Sequence, residues 1–498
     1  SINGVRTPSP EDRRGVLLYG VPSDLLDTIE VQKSLTPNVD GDSLGGVINL
    51  KTISAFDRKG RFVRVKAEGR WNEITEEFSP KATLTYSNTF SDTFGAAFSI
   101  NYQDLRIESH NHETGGWGLD AGSNLFYPND DFEQRWYGLN RKRLGFVANF
   151  DWRPSENTDL YLRTLFNQYE DDEIRNKFEF REFDEEVIAI SPTSVSIRRG
   201  EVDAEVRQRL ETRQIQTYAL GGETRLDVWT FDYQISYAFA EEDDTDNHDV
   251  AFRSTPEQRN SVTGSITYDY TNPRLPVISG PALAFLQNPA NYELDAYERE
   301  FTVNDDTEWA AQFNVARDAV FAGAPVEWRG GLKLRDREKN RDNDFTFHEP
   351  DLNMAAFVKQ VAPIGNWRLS NDMYFWPDAD LTAALRNQLN PADFDEEASF
   401  FESQIADYTI EEQVLAGYAM GTFDRGPLTI VVGVRIEQTN ADLAGNIAEE
   451  GSPVATRRTV SQDYTNVLPS VNLRYDFSDR LIGRAAYYAA LVRPGFGE

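Results

Sequence analysis

Cysteine is absent from the 498 residues. That excludes a disulfide scaffold, a thiol nucleophile and a Cys-ligated zinc or iron–sulfur site. Histidine is almost absent too. His110, His112, His248 and His348 are the only four, and none has the H-E-x-x-H spacing of a zinc site, so no metal is expected. No apolar run approaches the ~18 residues of a transmembrane helix. Positive charge is scarce: 50 Lys and Arg stand against 82 Asp and Glu, a net charge of -32. Such a surface does not suit nucleic acid, whose phosphates need clustered cations. There is no nucleophile elbow, phosphate loop or metal triad, so neither enzyme chemistry nor a cofactor is expected. Nor is there a signal peptide before Ser1-Ile2-Asn3-Gly4, or a closing strand after Pro494-Gly495-Phe496. The chain reads as an internal fragment whose export signal lies upstream.

What is abundant is alternation. Phe231, Tyr233, Ile235, Tyr237 and Phe239 share one face of an extended segment, with Asp232, Gln234, Ser236, Ala238 and Ala240 on the other. The same two-faced pattern occurs at Phe94–Gln103, Arg143–Trp152, Leu428–Glu437 and Val467–Phe477. Aromatics make up 12% of the chain, a surplus that the interfacial girdles of a membrane barrel would use. Mean hydropathy is -0.56, as in a soluble protein, but a transmembrane barrel dilutes its signal with polar loops. A sandwich also alternates, so the connections must discriminate. Short ones at Ser91–Thr93, Pro154–Thr158, Asp424–Pro427 and Ser478–Arg480 alternate with long ones at Asp104–Asn140, Glu170–Leu210, Glu241–Glu300, Glu338–Tyr408 and Asn440–Asp463. That is the plan of an outer-membrane barrel, with tight periplasmic turns and long external loops. It gives about thirteen antiparallel strands of ~10 residues each.

The acid runs Glu170–Glu173, Asp184–Glu186, Glu241–Asp244, Asp395–Glu397 and Glu449–Glu450 fall in or beside the long connections. They read as a solvated rim. Asp244-Thr245-Asp246 lacks the Gly and final Glu of a calcium loop. Paired acids such as Asp171 and Asp172 sit within charge runs and are not read as catalytic.

The first ~50 residues differ in composition. Strand candidates at Val16–Tyr19, Thr28–Gln32 and Gly46–Lys51 are punctuated by Gly and Pro, with a short helical turn at Ser23–Leu26. Ile29 and Val31 alternate with Glu30 as in a short half-buried strand. Gly41, Gly45 and Gly46 allow unusual backbone angles and close packing against a wall. The run Asp27–Pro37, followed by Asp40-Gly41-Asp42-Ser43-Leu44-Gly45-Gly46-Val47-Ile48-Asn49-Leu50-Lys51-Thr52, closely resembles the end of the plug domain of TonB-dependent outer-membrane receptors. Ile2–Arg6 resembles an earlier part of that plug. Arg484–Phe496 looks like a strand partway along receptors of one proteobacterial subgroup. Ile29, Glu30, Val31, Pro37, Gly41, Gly45, Gly46, Asn49 and Thr52 carry the plug motif.

The resemblance implies an all-β transmembrane antiparallel barrel, 22-stranded in the family, preceded by the C-terminal part of an α/β plug. Residues 1–54 would be plug and 55–498 the truncated barrel. It also implies active uptake at the bacterial outer membrane, through loop binding and plug gating, by a monomer set in lipid and lipopolysaccharide. The inner-membrane TonB complex would act through a box upstream of Ser1. The subgroup is often linked to oligosaccharides, whose rings stack on aromatics. Trp117, Tyr127, Trp136, Tyr137, Trp367, Tyr374 and Trp376 in the long loops are the candidate ligand residues, each with a plain alternative as loop packing or girdle. A ferric siderophore is the alternative ligand, disfavoured by an acidic rim that steers anions poorly. A passive porin and a soluble β-rich adhesin are the alternatives of another class.

Overall fold

A computed structural model describes residues 1–15, 21–57, 60–181, 187–198, 201–254, 264–359 and 375–495. Two strands open it. β1 (Leu26–Gln32) follows a single 3-10 turn at Ser23–Leu25. It pairs antiparallel with β2 (Val47–Thr52). Then comes one large antiparallel sheet whose strands are neighbours in chain order. They are β3 (Phe62–Asn72), β4 (Glu77–Ser91), β5 (Phe94–Thr114), β6 (Phe132–Ser155), β7 (Thr158–Arg181), β8 (Glu201–Leu226) and β9 (Trp229–Ser254). After these run β10 (Tyr292–Phe321), β11 (Ala324–His348), β12 (Tyr408–Arg425), β13 (Leu428–Ala448), β14 (Ala455–Ser478) and β15 (Leu481–Tyr488). The expected thirteen strands are there. Among the described residues β3 and β15 do not pair with each other, so the sheet is an arc with two free edges.

The alternation has the expected sense. Gln234, Ser236, Ala238 and Ala240 are buried, while Ile235 is 58% exposed on the opposite face. That outer face carries Leu220, Ile235, Phe313, Leu332, Leu415, Val432 and Val467. Aromatic rings bound it at two levels. Trp152, Trp229, Trp328 and Tyr475 lie near the two-residue turns; Tyr102, Tyr218 and Trp309 lie higher. Tyr237 joins the upper ring, 4.7 Å from Trp309 between ring centres. The eight steps from Trp229 to Tyr237 span ~26 Å of strand at ~3.3 Å each. A tilt of ~40° reduces that to ~20 Å, near the ~25 Å apolar band of an outer-membrane barrel.

All six connections at the lower end are two residues long. Ala322 (φ 50°), Gly323 (φ 76°), Asp227 (φ 55°) and Gly426 (φ 61°) supply the left-handed conformations that match such turns to strand twist.

Two expectations fail at the upper end. The strands are not ~10 residues long: β5 has 21 residues, β8 and β9 have 26, and β10 has 30. What read as the flanks of long loops is wall. Glu170–Glu173 lies in β7 and Glu241–Asp244 in β9, and the last expected loop shrinks to residues 449–454. Charge does not break a strand whose alternate residues face water on one side and the lumen on the other. Asp184–Glu186 lies outside the described residues. Asp395–Glu397 opens the helix Glu396–Ala406, whose far end covers the bare edge of β11. The amides of Phe347, Phe345 and Asn343 donate to Ser399 Oγ, Ser403 Oγ and Asp407 Oδ1.

A second core lies above the membrane. Phe132, Phe178, Phe180, Val202, Ala204, Val206 and Phe252 are buried there. In β6 and β7 these share strand parity with the lipid-facing Leu144, Phe146 and Leu160. They are covered by the four-stranded sheet of Val187–Ser191, Ser194–Arg198, Ser265–Asp269 and Val277–Ser279, and by short helical segments. The loops thus fold onto the outer face of the tall wall. The inner face keeps charged residues such as Arg175, Lys177, Asp203 and Glu205.

Candidate functional site: a charged socket on the inner face of the wall

Residues 1–15 and 21–54 lie against the inner face of the arc, and two groups of contacts are the most extensive; beside them Asp24 pairs with Lys66 of β3 at 3.3 Å and with Lys81 of β4, Glu11 pairs with Arg213 of β8 at 3.0 Å, and Val5 packs with Ala219 and Ala238 of β8 and β9. On the side of β5, β6 and β7 the contact is oily. Ile2, Leu25, Leu50, Ile53 and Ala55 pack with Ala97, Val147 and Leu165, all buried. Asn149 Nδ2 donates to Thr52 Oγ1 and to the Ile53 carbonyl at 2.6 Å each. Ser54 Oγ donates to Asp151 at 2.8 Å.

On the side of β10 to β13 the contact is ionic. Pro37 and a turn closed by Val39 N–H to Thr36 O project Asp40-Gly41-Asp42 at the wall. Asp40 meets Lys333 at 2.7 Å and Arg435 at 2.9 Å. Asp42 meets Arg6 at 2.6 Å and Arg493 at 2.8 Å, with Arg335 at 3.7 Å. Gly41 N–H donates to Glu437 at 2.9 Å, and its carbonyl accepts from Leu491 N–H at 2.9 Å. A side chain there would run into Leu468 and Glu437, so the close approach expected of this glycine is real. Glu308 backs Arg335 at 3.2 Å; Glu437 backs Arg435 at 2.6 Å and Arg493 at 3.2 Å; Glu412 holds Arg14 at 3.1 Å. Higher up, Lys339 donates to the Ser9 and Glu11 carbonyls at 3.0 and 2.5 Å.

Burial alone would push both aspartates toward their neutral forms. At Asp40 the Lys333 and Arg435 cations outweigh it and hold the carboxyl below its usual range. Arg6 and Arg493 do the same for Asp42. The turn is therefore a charged key, and it sits over a cavity of about 480 Å³ lined by Arg6, Asp40, Asp42, Asn49, Gln312 and Lys333, among others.

The plug motif is only partly as read from sequence. Glu30 pairs with Lys51 at 2.5 Å. Asn49 Oδ1 accepts from Gly4 N–H at 3.0 Å, and Thr52 N–H donates to Asn3 Oδ1 at 3.0 Å. Gly46 has φ 127° with its Cα against the Gln32 carbonyl, while Gly45 (φ 89°) faces open space. Ile29 and Val31, expected half-buried, are 60% and 58% exposed. They pair with Leu50 and Ile48 in a two-stranded sheet, and one face of that sheet is bare among the described residues. Val16–Tyr19 lies outside those residues.

The aromatic candidates do not gather into one platform. Trp117 is 50% exposed and edge-on to Tyr270 at 5.2 Å. Tyr127 and Trp376 are buried in the upper core, and Trp136 packs against it. Tyr137, half-buried, has lumen-facing parity. Trp367 and Tyr374 lie outside the described residues. Two carboxylate triads, Asp131–Glu133–Glu179 and Glu179–Asp203–Glu205, could each surround an ion. Lys177 fills that role instead, 2.7 Å from Glu179 and 2.9 Å from Glu205.

The socket was missed because its partners lie hundreds of residues apart. One local signal could have found it. Lys333, Arg335, Arg337 and Lys339 recur at every second position of β11, which aims four cations at one face.

A large antiparallel sheet with an apolar outer face, aromatic rings at two levels and a polar inner face is an outer-membrane β-barrel wall, and the chain lies in the bacterial outer membrane. Residues 382–498 match the outer membrane protein beta-barrel family. No curated protein matches the chain in sequence. Among solved structures it is similar to the siderophore receptor PiuA from Acinetobacter baumannii, at 11% identity and TM-score 0.49, over 94% of this chain and 54% of that one. It thus spans about half the length of that receptor. The copper transporter OprC matches at 10% identity and TM-score 0.28, over 98% of this chain and 70% of that one. The siderophore receptor PirA from Pseudomonas aeruginosa matches at 10% and 0.22, over 98% and 85%.

Proposed function

We propose that the chain is part of a TonB-dependent receptor that imports a nutrient across the outer membrane, with an oligosaccharide as the first ligand class. The observation that carries this reading is the Asp40-Gly41-Asp42 turn, which seats Asp40 of an internal element on Lys333 and Arg435 of the wall and sets Asp42 3.7 Å from Arg335. A passive porin needs no such element. A soluble adhesin has no use for aromatic rings at two levels around an exposed apolar face. The device binds and gates and performs no bond chemistry. Ligand settles on the inner wall above the plug. The TonB complex, engaged through a segment upstream of Ser1 and driven by the proton gradient, then pulls on the plug. The receptor acts as a monomer and takes no cofactor.

Donors and acceptors interleave on the inner wall, as at Arg141 with Asp171 (3.0 Å) and Arg175 with Glu205 (3.3 Å). Such a surface suits a ligand rich in hydroxyl groups. A second reading, a ferric siderophore, is favoured by the same arginines. The objection from an acidic rim weakens, since in Glu170–Glu173 only Asp171 and Glu173 share the inner face, and Arg141 and Arg209 pair with them.

The test is calorimetric titration of the full-length receptor with maltodextrins, chito-oligosaccharides, xylo-oligosaccharides and ferric chelates. Saturable binding of one oligosaccharide class is the expected result. Saturation by chelates alone would replace the sugar reading with the siderophore one, and a full-length protein soluble without detergent would end both.

A further inference from the structure

The plug holds the wall by two chemistries on two sides, and they respond differently to water. On the β5–β7 side the surfaces are close-packed as well as apolar. A side chain at Gly145 would meet Leu25 at 2.5 Å and Pro22 at 3.1 Å, and one at Gly95 would meet Ala55 at 2.7 Å. Wetting this side exposes oil and returns hydration only to the few polar groups there, such as Asn149, Thr52, Ser54 and Asp151. On the β10–β13 side the contacts are ion pairs beside a cavity of about 480 Å³. Separating these charges costs their mutual attraction but gives back their hydration, and the two nearly cancel. A pull on the plug therefore meets its weaker resistance on the ionic side, where polar groups line a cavity beside the contact.

We infer that the plug is hung on β5–β7 and unlatches from β10–β13, so that the passage opens between the Asp40–Asp42 turn and the strands bearing Lys333, Arg335 and Arg435. This rests on the transport reading above and adds to it a side, a pivot and a route. The route's wall is polar: Gln312 and Lys333 line the cavity on the barrel side, Asn49 and Asp42 on the plug side. A hydrophilic solute can therefore pass without a dry step.

The absence of cysteine allows a symmetric test. Gly41→Cys with Leu468→Cys ties the ionic side; Leu25→Cys with Gly145→Cys ties the oily side. In each pair a glycine Cα faces a leucine side chain across the plug–wall contact. Each full-length double variant is placed in planar bilayers in KCl, and urea is raised to provoke opening, with no ligand needed. Reduced, each variant supplies its own baseline, so that any effect of the substitutions themselves, the new side chain at Gly41 beside Glu437 included, is separated from the effect of the tether. Oxidised, the 41–468 tether should cut open events at least tenfold, with recovery in dithiothreitol, while the 25–145 tether should leave them within twofold. Silence from the 25–145 tether, equal effects of both, or no effect of either overturns the pivot. A parent that never conducts at any urea concentration overturns the transport reading itself, a different and separable failure.

Discussion

Asp42→Asn is the sharpest perturbation of the socket. It keeps the shape of the side chain and removes one charge from a cluster in which Arg6, Arg14, Lys333, Arg335, Arg435 and Arg493 face Asp40, Asp42, Glu308, Glu412 and Glu437. Six cations then face four carboxylates. Arg493 is 1% exposed and Arg335 is 2% exposed, so the surplus charge has little access to water. Removing one partner of a buried pair costs about 3–5 kcal/mol. If that acts on the closed state alone, the plug turn opens about 10²- to 10³-fold more often, at ~1.4 kcal/mol per decade. Hydrogen exchange in detergent reads this at the Gly41 amide, held by Glu437 in the closed state. The Leu50 amide, bonded to the Ser1 carbonyl away from the socket, is the internal control. Adding Arg493→Met should return the cluster to the parent's net charge and recover most of the loss. An increase at Gly41 below threefold, or an equal increase at Leu50, would refute the idea that these charges hold the turn.

The socket should also tolerate mild acid. The Asp42 carboxyl is held below its ordinary 3.8, so its contribution is complete above that value and fades only as pH falls through the lower folded value. Gly41 exchange, corrected for intrinsic rate, should therefore be flat from pH 5 to 8. His112 behaves differently. It lies well above the membrane, stacked on Phe132 at 5.3 Å, and burial pushes its pKa down to about 4. The neutral ring is favoured in the fold. Stability is complete above the unfolded value of 6.5 and falls as pH drops toward 4, by about 2–3 kcal/mol. Thermal melts of the His112→Phe variant should lose that slope. Gly46→Ala should cost about 1–3 kcal/mol, because φ 127° is strained for alanine and its Cβ would sit 2.6 Å from the Gln32 carbonyl; protease nicking within residues 32–46 would report it. Leu332→Arg, on the outer face midway between Trp328 and Asp336, should cost about 2–4 kcal/mol of membrane stability in refolding into lipid vesicles, whereas arginine at the neighbouring inner position Lys333 should not.

Much of the wall was legible because strand parity is local. Phe231 and Gln234 report their faces through their immediate neighbours, and two-residue turns announce themselves with Gly323 and Gly426. The Asp40–Thr52 string was legible as a motif. Strand length was not. A rule that ends strands at charge runs misreads Glu170–Glu173, where every second acid meets an arginine across the inner face. The aromatic candidates scatter for a related reason. Trp136 and Trp376 are loop aromatics in sequence, but the strands beneath them rise past the membrane with an apolar outer face that needs covering, and these rings help cover it. The socket was hidden by separation: Asp42 and Arg493 lie at opposite ends of the chain, and no window includes both.

On the gating proposed above, the placement of oil and charge follows from which contacts must break. The outer face meets lipid and never needs to leave it, so Leu220, Ile235 and Leu332 can be apolar without cost. The β5–β7 contact with the plug is apolar too, and would expose Ile2, Leu25 and Ile53 if it parted. The β10–β13 contact is built from groups that water accepts as readily as protein does. A plug glued by oil on all sides would pull free only by wetting its whole apolar surface, and would then be prone to aggregate in the periplasm. A plug held only by ions would have no fixed point to return to. Oil on one side and charge on the other allows repeated opening and re-seating in one register. If that is the design, combining Asp40→Leu with Lys333→Leu, which replaces an ion pair by an apolar one, should leave the closed state as stable, slow its re-seating after urea-provoked opening, and remove the salt dependence of opening in planar bilayers. A double variant that keeps the parent's salt dependence would show that the ion pairs are not what opens.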